Sequence, residues 1–80
     1  MIRLSKHVSD EMDRRRILLS YIAETLEAPD RVTVDRNDPS LLRSFKSIAA
    51  FGFRVLRVVH RPDGDDIFVV TAHWDRGAKR

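Results

Sequence analysis

Eighty residues with a net charge of +3 and a pI near 10.0 define one small basic domain, 1–80. A chain of this length buries only roughly 60% of the surface it exposes when unfolded, which argues against a deep, enclosed active site. The absence of cysteine excludes a disulfide framework and a thiolate metal site, and no apolar run approaches the roughly 20 residues of a membrane helix.

The start, "MIRLSKHVSDEMDRRR", lacks the apolar core of a signal peptide, so the expected protein is soluble and cytoplasmic with no membrane partner. Leu4, Val8 and Met12 recur at four-residue spacing, as do Leu18, Ile22 and Leu26, which predicts two short amphipathic helices. Ser5 or Ser9 caps the first, with Asp10 and Glu11 in a favourable first turn and Arg14, Arg15 and Arg16 near its negative end. Pro29 stops the second. Beyond it the pattern is strand-like: "RVTVD", "LLRSFKSI", "FRVLRVVHR" and "DIFVVTAHW", with "DRNDPS" as a surface turn. The last two strands flank "PDGD", which suits a tight hairpin. The expected fold is α+β, two N-terminal helices packed on a twisted antiparallel sheet of about four strands.

With Asp63 and Gly64 as the central turn residues, Phe53 faces Trp74, Val55 faces Ala72, Arg57 faces Val70 and Val59 faces Phe68 on an apolar face under the helices. The more open face then pairs Arg54 with His73, Leu56 with Thr71, Val58 with Val69 and His60 with Ile67. Arg54 and His73, about 5 Å apart at Cβ, would grip one phosphate together. "FVVTAHWDR" thus reads as a core strand by Phe68, Val70, Ala72 and Trp74, and as a site edge by Thr71, His73 and Arg76. His60 and His73 would stand on the order of 20 Å apart and cannot share an ion. With no glycine-rich phosphate loop, HExxH motif or nucleophile elbow, neither a metal nor a cofactor is expected. An open face carrying Leu56, Val58, Val69 and Ile67 would also suit pairing with a second copy.

Charge is unevenly placed. Between Ser40 and Arg61 the chain carries Arg43, Lys46, Arg54, Arg57 and Arg61, with His60 beside them and no acid. Such a stretch is either a phosphate footprint or a solvated sheet face.

Taken together, "SKHVSDEMDRRRI", "IAETLEAPDRV" and "FRVLRVVHRPDGDDIFVVTAHWDR" resemble the bacterial family called domain of unknown function 4258. That family has an early His, an Arg before an Ile, a helix ending in a Pro-Asp step and a closing "ViTay"-like strand. The resemblance spans nearly the whole chain. It implies kinship with the small toxin ribonucleases of the RelE, BrnT and colicin type, which cut RNA without metal, and hence a RelE-like fold. The partners it implies are RNA, either free or on the ribosome, and an acidic antitoxin protein. It aligns His7 with the family His, Arg15 with its helix arginine, Lys46 with a basic residue of the second strand, and Thr71-Ala72-His73 with the closing strand. Glu11 stands where a second arginine is common, and His73 where a tyrosine is common.

Metal-free RNA cleavage needs a base for the 2′-OH proton, cations for the phosphorane charge and an acid for the leaving oxygen. On this resemblance the catalytic candidates are His7, His73 and Thr71, since an imidazole titrates near neutral pH. The nucleic-acid-binding candidates are Arg15, Arg43, Lys46, Arg54, Arg57 and Arg76. The alternative is a non-catalytic nucleic-acid or protein-binding module, or a homodimer, on the same scaffold.

Overall fold

The computed structural model describes residues 1–77. Helix α1 spans Lys6–Arg15 and starts at Ser5, whose Oγ accepts the Val8 N–H at 3.2 Å, so Ser5 and not Ser9 is the cap. Asp10 and Glu11 therefore lie beyond the first turn, where they pair with Lys6 and with Arg14 and Arg15 instead of the helix N-terminus. Arg16 ends α1 in the left-handed region (φ 57°, ψ 40°), and the Ile17 N–H closes onto the Met12 carbonyl at 2.9 Å. Helix α2, Leu19–Glu27, stops just before Pro29. Val8 and Ile22 are buried as their spacing predicts, but Leu18 lies outside the helix and is exposed; Ile17 takes the core position instead.

The strands are β1 (Ile2–Leu4), β2 (Arg31–Val34), β3 (Leu42–Ile48), β4 (Arg54–Asp63) and β5 (Asp66–Trp74), in the spatial order β1-β5-β4-β3-β2. All four expected strands form. The fifth, β1, runs parallel to β5 and pairs Ile2 with Ile67 and Leu4 with Val69, so the sheet is five-stranded and mixed instead of four-stranded and antiparallel. Leu4 fits the helical spacing of Val8 and Met12 but is held by a strand about sixty-five residues away in sequence.

The β4–β5 hairpin turns at Gly64-Asp65, one residue later than expected, with Asp63 opposite Asp66 and Gly64 at φ 61°. A bulge then changes the register again: His60 opposes Val69, but Val59 opposes Thr71, leaving Val70 as the extra residue. Ser5 sits at this bulge, its N–H on the Val69 carbonyl at 2.9 Å and its hydroxyl donating to the Val70 carbonyl at 2.8 Å. The expected pairing of Phe53 with Trp74 and Arg54 with His73 is thereby corrected. Leu56 opposes Trp74, Arg57 opposes His73, and Arg54 opposes Ile48 of β3.

Both helices cover one face, α1 against β5 and α2 against β3 and β4. Val8, Ile17, Ile22, Ile48, Leu56, Val58, Val69 and Ala72 form the core there, each large side chain contributing about 1.5–3 kcal/mol by burial. Leu56, Val58 and Val69 are fully buried, so the expected route to a dimer through them is closed. His60 also belongs to the covered face, bonded to Ser44 at 2.7 Å, and burial lowers its pKa. Among the described residues no helix is long and apolar enough to cross a membrane.

Candidate functional site

Past Leu4, β1 no longer pairs with β5, and among the described residues no strand continues along that edge. The end of α1 fills that place. Arg15 Nη1 donates to the Ala72 carbonyl at 2.9 Å, and Trp74 Nε1 donates to the Arg15 carbonyl at 2.7 Å, satisfying one of the carbonyls a helix leaves unpaired in its last turn. Trp74 lies flat on Phe51, ring centroids 4.3 Å apart and planes at 7°, while Tyr21 meets the two rings at 6.1 and 6.3 Å. Phe51 is delivered by a single 3₁₀ turn, Ala49–Phe51, after which Gly52 and Phe53 both take positive φ (66° and 60°) and reverse the chain into β4. The first residue of β4, Arg54, then places its guanidinium over both rings, at 5.5 Å from Phe51 and 5.7 Å from Trp74.

These elements border an open recess of about 480 Å³ lined by Arg14, Arg15, Arg16, Arg54, Arg76, Phe51, Trp74 and His73. Every charged lining group is an arginine. Arg14 and Arg15 share Glu11, whereas no ion pair among the described residues involves Arg16, Arg54 or Arg76. Clustered like charges in one recess create a positive potential that draws anions. Arg16 adds its charge from a left-handed backbone position that costs a non-glycine residue about 1–2 kcal/mol.

His73 reaches the pocket from the uncovered face of the sheet. Arg57, opposite it on β4, donates to its Nε2 and stands 3.9 Å from Asp75. A guanidinium only donates, so Nε2 is the acceptor and the ring proton sits on Nδ1. Burial first, then the charges of Arg57 and Arg15, lower the His73 pKa and hold the ring neutral at neutral pH. Arg57 Nε is buried and has no partner among the described residues.

Of the residues the sequence suggests, Arg15, Arg54, Arg76 and His73 converge here. The others do not. His7 is exposed in the first turn of α1, and the seven residues separating it from Arg14 place it about 10 Å away along the helix axis. Thr71 lies on the uncovered face opposite Val59. Arg43 is bound to Asp35 at 2.9 Å and holds that carboxyl below its usual range. Lys46 donates to the Ala28 carbonyl at 2.8 Å, at the end of α2, with Asp30 at 3.7 Å. Arg14, Arg16 and Phe51 complete the pocket without having been singled out for it. The arginine triplet was visible as a helix end, but its meeting with Phe51 depends on the Gly52-Phe53 reversal. His60 and His73 lie on opposite faces, and among the described residues no His, Asp and Glu cluster could hold a metal ion.

Fold and site define a small α+β protein with an arginine-lined pocket built on stacked aromatic rings. The chain belongs to the family described as domain of unknown function DUF4258, whose model matches residues 4–74. No curated protein and no solved structure matches it.

Proposed function

We propose that the protein is a small, toxin-like, RNA-directed protein of the RelE type that cuts RNA without metal, and that the arginine pocket is where it holds the strand. The observation that carries this reading is the convergence of five arginines on the Phe51–Trp74 stack with a neutral His73 beside it. Arginine forks match phosphate oxygens bidentately, and aromatic rings stack bases with little regard for sequence.

In the cleavage step His73 accepts the proton of the 2′-OH as that oxygen attacks phosphorus. Its Nε2 becomes available when Arg57 turns to Asp75. Arg54 and Arg76 hold the charge of the phosphorane, the bond to the 5′ oxygen breaks, and water protonates the leaving oxygen, giving a 2′,3′-cyclic phosphate. An acidic antitoxin covering the same arginines is the natural inhibitory partner for such a site.

The test is to add the purified protein to a cell-free translation extract and map RNA ends over time. New ends carrying 2′,3′-cyclic phosphate, absent with His73→Ala but present with His7→Ala, are the expected result. A second reading, a non-catalytic RNA-binding module, is favoured by the engagement of His73 Nε2 with Arg57. It predicts salt-sensitive binding with intact RNA at any protein concentration.

A further inference from the structure

The outer edge of β2 is bare among the described residues, and its sequence, with the residue after it, reads Arg31-Val32-Thr33-Val34-Asp35. Edge strands are usually blunted by shortness, charge, a proline or a bulge; β2 is four residues long with one charge, Arg31, at its start, and no lysine, proline or bulge occurs within Arg31–Val34. Val32 and Val34 are instead 48% and 55% exposed, on the same side of the sheet as the helices but beyond their reach. Asp35 donates its N–H to the Leu41 carbonyl across the β2–β3 pair. Alternation therefore turns the N–H and C=O of Arg31 and Thr33 toward β3, and those of Val32 and Val34 toward open solvent.

We propose that β2 is a homodimerisation edge, at which two copies of the chain pair antiparallel about Thr33 to make one continuous sheet. The segment is complementary to itself in that register alone. Val32 of each copy opposes Val34 of the other, and these are the residues whose backbone groups point outward. Arg31 of each copy opposes Asp35 of the other, so unlike charges meet at both ends. The Asp35 carboxylate, already bound to Arg43 and to the Asn37 and Asp38 N–H groups, then gains a second guanidinium once Arg31 swings from over Phe45. The valines form one strip on the helix side, and Thr33 meets its own copy on the two-fold axis. Shifting the register by one residue would set Val32 against Thr33 and leave both charges without opposites. Two strands of this length bury less than the roughly 1,000 Å² of a stable interface, so the dimer dissociates on dilution.

The chain has no cysteine, which permits a direct test with single introduced thiols. Directly opposed residues of the wide antiparallel pair have Cα atoms about 4.5 Å apart, within disulfide reach. Under mild oxidation Thr33→Cys is expected to form a linked dimer at least about tenfold faster than Asn37→Cys, an exposed turn position outside the proposed edge. Sedimentation of the unmodified chain should show a mass rising above 9.3 kDa with concentration, whereas Val34→Pro stays monomeric and folded, because that N–H is not used by β3. Equal cross-linking of the two cysteine variants, or a Val34→Pro protein that self-associates like the parent, overturns the proposal. A parent that remains at monomer mass near 1 mM does so too.

Discussion

Ile48, Leu56, Val58 and Val69 are sealed beneath α1 and α2, whereas Phe45 and Val59, on the reverse of the same strands, have no helix over them among the described residues and are still only 6% exposed. Arginine stems take the place of a second layer. Arg31 lies over Phe45 at 4.3 Å and Arg61 over Phe68 at 4.8 Å, while Arg43 and Arg57 are fixed by Asp35, His73 and Asp75. Within the basic stretch between Ser40 and Arg61, Arg43 and Arg57 thus roof the sheet with their charges paired, and Arg61 roofs it through the Phe68 ring. Three cations that no ion pair among the described residues involves, Arg16, Arg54 and Arg76, meet instead at the pocket by the end of α1 and the start of β4. A count of positive charges does not separate these two uses; their partners do.

The largest effect that tests this contrast is on the helix side. Leu56→Ala is expected to cost about 2–5 kcal/mol in denaturant unfolding, and Val59→Ala about half as much, because flexible arginine stems can settle into the space left. Equal losses would mean that the arginine roof packs as tightly as the helices. Next in size is RNA affinity. Arg54→Ala or Arg76→Ala should each weaken binding about tenfold and reduce the salt slope by about one, while Arg43→Ala and Arg61→Ala stay within about twofold. A uniform response across all four would erase the distinction between roof and site.

A smaller effect separates stability from function at one residue. Arg16→Gly relieves the left-handed cap and is expected to raise stability by about 1 kcal/mol while lowering RNA affinity; thermal unfolding and a binding titration on the same sample check both. The smallest effect is in pH. His60 is held neutral when folded, with its pKa below the ordinary 6.5 it regains on unfolding. Its contribution is therefore whole above that value and declines as pH falls through 6.5 toward the lower folded pKa, because the unfolded chain takes up the proton first. Melting temperatures between about pH 7.5 and pH 5 should fall less steeply in His60→Gln than in the parent. An unchanged slope would place the acid sensitivity elsewhere, with His73 the next group to examine.

Local patterns were legible where one element decides its own form. The spacing around Val8 and Ile22, the alternation in four strands, and Pro-Asp-Gly-Asp as a hairpin all follow from neighbours in sequence. β1 was not, because three residues carry no period of their own and Leu4 is placed by Val69. The register failed for two local reasons with a distant result: Gly64 took the first central turn position, and Val70 bulged where Ser5 approaches. Together they exchanged Arg54 for Arg57 as the neighbour of His73. Part of the pocket stayed hidden for the same reason, since Arg14, Arg16 and Phe51 meet only after α1 has been laid along the edge of β5.

The bulge at Val70 also sets what changes of length β5 can absorb. Ile67 and Val69 face the helices from odd positions, Ala72 and Trp74 from even ones, and Val70 carries the change of phase. Removing that residue would leave every pair from His60 with Val69 to Leu56 with Trp74 in a regular ladder, with loss only of the carbonyl that receives the Ser5 hydroxyl. Removing Ala72 closes the same bulge and keeps Leu56 opposite Trp74, but sets the Thr71 hydroxyl in the buried place of Ala72, opposite Val58. Shortening at Val70 leaves every core side chain of β5 in place, whereas shortening at Ala72 buries a hydroxyl, so single deletions in relatives of this chain should gather at Val70.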